Sequence, residues 1–329
     1  FLFKYKKKKY RIEDIQYSSE KNAFFIRSVN KNYTIPQLKA QQMIGQSTRT
    51  DFSKYVSLEL LMPDINNGFK VQKLPVPRYA LNELVYLNDY YVTLNGRYNK
   101  YVKDTVAYHL NLIKDNKIVK SYFPFVNLPK LPPFYDNVDF TINSTTDAAA
   151  MLVQKQFDHT IYKLTPDSLY EQYKFVFPAD QTMTGDFQST LFRSNIEYNA
   201  AVNKNNKVIS DFNNILEHQH LLFFSTSAVN YSRKNFVFNT TDRKLYDIGK
   251  ITTDSVVYNL PPKVFSSITQ QDGEYVYTRM SSADLLKEKD KLIAQNKNLP
   301  ATTKELLAKL DKFDNAIVIK LKVKPSIAK

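Results

Sequence analysis

The side chains able to do metal or proton chemistry are few. The chain carries four histidines, His109, His159, His218 and His220. His218-Gln219-His220 is the one motif with metal-like spacing, because alternate residues on a strand share a face. A metal needs further ligands. Glu217 is adjacent, but on a regular strand it points away. A solvent-facing strand or turn is therefore the favoured reading of that tripeptide. His159, just before Thr160, reads as a surface or sheet-packing residue. His109 lies among the outward polar positions of its strand. Asp136 and Asp139 share a loop, yet no Asp-rich segment reaches the density of a calcium loop. There is no cysteine, which excludes disulfides, thiolate metal sites and cysteine nucleophiles. No serine sits in a nucleophile elbow, and six scattered glycines do not make a phosphate-cradling loop. Asn143-Ser144-Thr145 and Asn239-Thr240-Thr241 are glycosylation-type triplets expected by chance in so Asn-rich a chain. Arg97-Tyr98-Asn99-Lys100-Tyr101 and Tyr231-Ser232-Arg233-Lys234 have the residue types that stack sugars or bases. Strand cores and loop edges explain them equally well. No catalytic, cofactor-binding or metal-ligating residue is assigned, and no cofactor is expected.

The elements that must position these groups are strands. Between Phe157 and Pro178 two apolar-aromatic runs, Thr160–Leu164 and Leu169–Phe177, flank Thr165-Pro166-Asp167-Ser168. Tyr173, Phe175 and Phe177 share one face; Tyr170, Gln172, Lys174 and Val176 share the other. Period two with aromatic and β-branched residues predicts strand, and Pro followed by Asp predicts a type I turn. Asp158, His159 and Asp167 read as turn and edge residues of this hairpin.

The same design recurs along the chain. Strands are predicted at Leu2–Tyr5, Tyr10–Tyr17, Ala23–Val29, Tyr55–Leu61, Phe69–Lys73, Glu83–Leu87 and Tyr90–Leu94. They continue at Thr105–Ile113, Ile118–Phe125, Val138–Ile142 and Ala149–Gln154. After the hairpin they resume at Val208–Leu216, Leu221–Thr226, Asn235–Asn239, Lys244–Ile248, Glu274–Met280 and Ala316–Val323. Val106, Tyr108, Leu110 and Leu112 alternate with polar neighbours. A short helix is expected at Gln37–Met43 and some helix within Phe187–Val202. Ser281-Ser282-Ala283-Asp284 reads as a capping box, opening a helix with Leu285, Leu286, Leu292 and Ile293 on its apolar face. Thr302-Thr303-Lys304-Glu305 does the same for a second helix bearing Leu306, Leu307 and Leu310. These two helices are expected to pack on the last strands rather than form a domain. More than fifteen short strands, with hairpin units recurring about every 40–50 residues, favour a β-propeller of four-stranded blades over a plain sandwich.

Composition sets the boundaries. The chain has 329 residues, 23 Tyr and 22 Phe, so a substantial core is possible. With so little glycine, turns must rely on Asn, Asp, Lys and Pro, of which Asn tolerates positive φ best. The net charge of +14 suits an anionic partner or a lysine-rich solvated surface, and the even spread of lysine favours the surface. Lys6-Lys7-Lys8-Lys9 can touch phosphate or form an exposed hairpin turn, and the turn is favoured. No apolar run approaches the length of a membrane span. The opening FLFKYKKKK begins inside a strand without an initiator Met, so the natural N-terminus is expected to lie upstream.

Several blocks resemble one known family. Leu84–Leu94 (LVYLNDYYVTL) and Tyr108–Phe125 (YHLNLIKDNKIVKSYFPF) look like its hairpin units. Asp158–Leu164 (DHTIYKL) is similar to its SDTIYRI strand. Leu221–Ser225 with Asn235–Tyr246 resembles a further unit, and Asp272–Leu286 with Asp314–Lys322 resembles its closing segment. In their order and spacing, over residues 80–324, these blocks resemble the six-bladed β-propeller proteins of Bacteroidota, which are distantly similar to NHL-repeat propellers. The early Gly-rich turn of that family is not found, and residues 1–80 read as diverged or incomplete blades. The resemblance implies an all-β, six-bladed propeller spanning 1–329, with a helical insertion at 281–311. It also implies export to the periplasm or cell surface, often as an outer-membrane lipoprotein.

Three functions are compatible with these features to different degrees. A non-catalytic binding or scaffold propeller, in an envelope assembly with other proteins as partners, accords with the lack of a catalytic constellation. A lyase or hydrolase acting on glycans or lactones at a central channel is the alternative, since its groups would come from several blades. A nucleic-acid binder lacks any recognition module.

Overall fold

The computed structural model describes residues 2–5, 8–18, 23–31, 56–64, 68, 70–74, 83–94, 106–115, 117–126, 140–145, 147, 149–185, 187, 190, 192, 195–228, 231–250, 260, 264–265, 268, 270–295, 299–312 and 314–323. The helix expected at Gln37–Met43, the loop of Asp136 and Asp139, and the stretch Arg97–Tyr101 lie outside them. The chain divides into two compact units, residues 1–137 with 165–167, and residues 138–164 with 168–329.

The first unit holds two antiparallel sheets whose strands follow chain order. Strands β1 (Leu2–Tyr5), β2 (Lys8–Ser18), β3 (Ala23–Lys31), β4 (Val56–Asp64) and β5 (Lys70–Leu74) form one. Tyr5 pairs with Lys8, so the lysine run does span a hairpin connection. Strands β6 (Glu83–Leu87), β7 (Tyr90–Leu94), β8 (Val106–Lys114) and β9 (Lys117–Val126) form the other. Left-handed backbone at Asn88 and Asp115 turns its two hairpins, the work assigned to Asn and Asp where glycine is scarce. Strand β8 corrects the expected alternation. Val106 and Tyr108 are exposed, whereas Ala107 and His109 are buried, and burial is continuous from His109 to Ile113. A strand covered on both faces loses its period-two pattern.

The second unit holds three further sheets, again in chain order. They are β10 (Phe140–Ser144), β11 (Met151–Lys155), β12 (Thr160–Leu164) and β13 (Leu169–Lys174); β14 (Ile209–His218), β15 (Leu221–Ala228), β16 (Tyr231–Asn239) and β17 (Lys244–Asp247); and β18 (Gln270–Asp272), β19 (Tyr275–Met280) and β20 (Ile317–Lys322). Every neighbouring pair is antiparallel.

The middle sheet is buried on both faces, and the alternation along β15 shows how. Leu222 and Phe224 join Phe212 and Ile215 of β14, and Leu152 and Ile161 of the preceding sheet, in one apolar cluster. Tyr173, Phe175, Phe177, Phe236 and Phe238 pack around it. The opposite parity, Leu221 and Phe223, packs with Leu216, Ile268 and Val276 toward the following sheet. Consecutive meanders are thus stacked face to face. Each fully buried Leu, Ile or Phe contributes at most about 1.5–3 kcal/mol, so this double interface is a substantial source of order among the described residues.

Helices are few. Helix α1 (Asn195–Lys204) lies in the excursion between β13 and β14. Its Tyr198 and Val202 pack with Phe157, Met183, Phe187 and Val208, while Ile196 is exposed. Helices α2 (Ser282–Gln295) and α3 (Ala301–Lys309) precede β20. They pack through Leu285, Leu292 and Leu307 onto Met280, Ile317 and Ile319 of β19 and β20. The hydroxyl half of the first capping box forms. Asp284 N–H donates to Ser281 Oγ at 3.1 Å, and Ser281 Oγ donates to Asp284 Oδ2 at 2.8 Å. The second does not. Helix α3 begins two residues earlier, at Ala301 after Pro300, and has no side-chain cap. Leu306 of α3 and Ile293 of α2, both expected on apolar faces, are exposed. Among the described residues no helix is long and apolar enough to cross a membrane.

Candidate functional site

A cleft of about 290 Å³ opens at one end of the middle sheet. The antiparallel register places it there. Strand β14 starts, β15 ends and β16 starts at the same edge, where Ile209 pairs with Ala228 and Thr226 pairs with Lys234. Thr226, Ala228, Lys234 and Phe236 have the parity of Phe224 and its partner, so they share the face that carries the core. All four line the cleft.

The facing wall comes from the chain leaving β13. Val176 is exposed to solvent while Phe177 turns into the core cluster. Pro178 then starts a short 3-10 turn, Ala179–Gln181, where Gln181 N–H donates to Pro178 O at 2.8 Å. The fixed φ of proline suits the start of such a turn. Phe177, Asp180 and Gln181 are thereby brought to the cleft.

His159 stands behind this floor. Its Nε2–H donates to the carbonyl of Ile209 at 3.1 Å. Its ring meets Phe177 edge-on, with centroids 4.8 Å apart. Burial pushes the imidazole pKa down, only partly opposed by the Ile209 carbonyl and by Asp158. A neutral imidazole donating from Nε2 holds the backbone at Ile209, so the sheet-packing reading of this residue is what the structure shows. Asp158 accepts from Thr160 N–H at 3.0 Å and Tyr162 Oη–H at 2.7 Å, which makes it a turn residue.

The charges at the rim are unequal. Lys207 Nζ lies 3.7 Å from Asp180 Oδ2, and both side chains are about 60% exposed, so the pair contributes little to stability. Lys234 makes no ion pair among the described residues. The cleft therefore presents an apolar floor, one phenyl ring from β16 and one from the chain beyond β13, and among the described residues one ammonium without an ion-pair partner.

The other histidines do not converge. His218 ends β14 and His220 lies in the turn that follows, with left-handed backbone at Gln219 between them. The turn breaks the shared face that the spacing implied. His218 is fully buried rather than solvent-facing, and its Nδ1 meets Gln271 Oε1 at 2.8 Å across to β18. Its Nε2 has no hydrogen-bond partner among the described residues. The His220 carbonyl accepts from Thr240 N–H at 2.8 Å. Glu217 accepts from Tyr173 Oη–H, and burial together with that carboxylate pushes the phenol pKa up. His109 is buried and stacks on Phe125 at 4.2 Å, which corrects its outward assignment. Among the described residues no three His, Asp or Glu side chains are grouped to hold a metal. Of the cleft residues, the sequence marks Phe177 as a strand-face aromatic and Lys234, within Tyr231–Lys234, as a candidate for binding. Asp180, Lys207 and Thr226 carry no local signal.

No family model matches the chain, and no curated protein sequence matches it. One solved structure, an apo AtxE2 isopeptidase, aligns over 85% of this chain and 41% of that one, with 8% identity and a TM-score of 0.19. The chain thus spans less than half the length of that protein, and a likeness at this level bears on neither fold nor activity.

Proposed function

We propose that this chain is a β-propeller of four-stranded blades, six by its resemblance to the Bacteroidota proteins, and that it is a non-catalytic binding or scaffold module. In this reading it is exported to the periplasm or cell surface and serves as a subunit of an outer-membrane-associated assembly, with other envelope proteins as partners. One observation carries the architectural part. In the second unit three consecutive meanders stack face to face in chain order, with β14 lying against β10 and β11. Radial repetition of such sheets is how a propeller is assembled. The loops of a propeller offer a broad, rigid rim, which suits protein contact better than a single deep site.

The test uses the protein at native expression level in its source cells. Fractionation is expected to place it in the envelope, in a stoichiometric complex with at least one other envelope protein. Electron cryo-microscopy of that complex is expected to show a closed ring and a contact burying more than about 1,000 Å². Recovery as a cytosolic monomer overturns the scaffold role, and an open stack of sheets overturns the propeller.

A further inference from the structure

We propose that the cleft at the end of β14–β16 is a binding site for a small aromatic carboxylate, its ring against Phe177 and Phe236 and its acid group on Lys234. The inference does not rest on the propeller reading, because every residue it uses belongs to the second unit. Size comes first. At about 290 Å³ the cleft stands at the small end of ligand pockets, which run to roughly 300–1,000 Å³. One ring with a short acidic tail fits this volume.

Polarity comes second. Phe177, Ile209, Ala228 and Phe236 give the cleft an apolar floor and walls, and phenyl rings favour an aromatic guest through offset or edge-to-face contact. Charge decides the head group. Asp180 occupies Lys207, which leaves Lys234 as the available cation, within a chain of net charge +14 that draws anions. One free ammonium matches one negative charge. A phosphate brings a second charge toward Asp180 and finds no guanidinium fork to receive it. A carboxylate needs one cation and one neutral donor, and the amide of Gln181 lines the same cleft.

The experiment titrates 3-phenylpropionate and its neutral amide into the intact chain at low ionic strength, followed by ligand-observed NMR and calorimetry. The acid is expected to bind with a dissociation constant in about the millimolar range or tighter, as its size allows. It is expected to bind about tenfold more tightly than the amide, the worth of one charge-assisted hydrogen bond. Lys234→Glu should weaken the acid about tenfold and abolish the preference over the amide, with the unfolding midpoint unchanged because Lys234 is exposed. Ala228→Phe should fill the cleft and exclude both ligands. The proposal is overturned by no saturable acid binding, by equal affinity for acid and amide, or by a Lys234→Glu protein that binds the acid like the parent. The acid–amide comparison needs no variant, so a misfolded Ala228→Phe protein leaves the test decisive.

Discussion

Replacing Phe212 by alanine removes the ring at the centre of the interface between the first and middle sheets of the second unit. Phe212 is fully buried. Its ring centroid lies 5.2 Å from Phe224, 5.5 Å from Phe175 and 6.0 Å from Phe177. Loss of the ring costs its transfer free energy and leaves a cavity that rigid strands on both sides cannot close, about 3–5 kcal/mol in all. Part of that cost belongs to ring pairs. A double-mutant cycle with Phe224→Ala should return a coupling of about 0.5–1.5 kcal/mol. Val176→Asp is the control on the same strand exit, at 91% exposure, and should change stability by less than about 0.5 kcal/mol. Urea unfolding measures all five proteins, with the slope checked for constancy so that midpoints compare directly. A Phe212→Ala cost below about 1.5 kcal/mol, or additive behaviour with Phe224, would refute the claim that these sheets stack through this cluster.

Three other perturbations probe distinct parts of the second unit. Ser281→Ala breaks the hydroxyl cap of α2 and should cost about 0.5–2 kcal/mol in urea unfolding, whereas Thr302→Ala at α3, which has no side-chain cap, should cost little. Gln271→Leu leaves buried His218 without its Nδ1 partner and should cost about 1–3 kcal/mol, and adding His218→Phe should recover part of that loss; full additivity would count against the contact. His159 has a lowered pKa, so as pH falls below its ordinary 6.5 the unfolded chain takes up the proton first. Its contribution is present above that pH and is lost on descent until the folded imidazole itself titrates. His159→Phe should flatten that part of the stability–pH profile, and an NMR titration placing the native imidazole at or above 6.5 contradicts the burial argument.

What the sequence revealed about the fold followed the alternation of apolar side chains. Strands β6, β7 and β12 have the bounds their periodicity predicts, because each begins or ends at a polar turn. Strand β18, Gln270–Asp272, was missed. It has no apolar alternation, and what holds it is pairing with β19 and the His218 contact. Strand β13 was drawn too long. The aromatic alternation does continue through Phe177, yet the ladder ends with Thr160 opposite Lys174. The alternation points His109 outward because the larger Val106 and Tyr108 read as the inward set, yet both are exposed. The small Ala107 and the His109–Phe125 stack fill that side instead.

The cleft was out of reach for a different reason, and the same reason explains why it stays open. On β15 and β16 one face runs without interruption from core to rim. Phe224 opposite Phe236 lies in the core, and the next pair on that face is Thr226 opposite Lys234. Burying an unpaired ammonium is far more costly than leaving an apolar wall partly wet. The sheet therefore cannot close over this pair, and the facing chain, stopped by Pro178, turns away at Ala179–Gln181 rather than packing down. A single sequence records which residues alternate, but not which strand ends meet. Phe177, Ile209 and Lys234 lie on three segments brought to one edge only by the hairpin register and the sheet stacking. The lysine that breaks the apolar face is thus both the limit of the core and the polar end of the cleft. Charge at that position should alter what the cleft accepts while leaving the Phe212 cluster, which holds the sheets together, undisturbed.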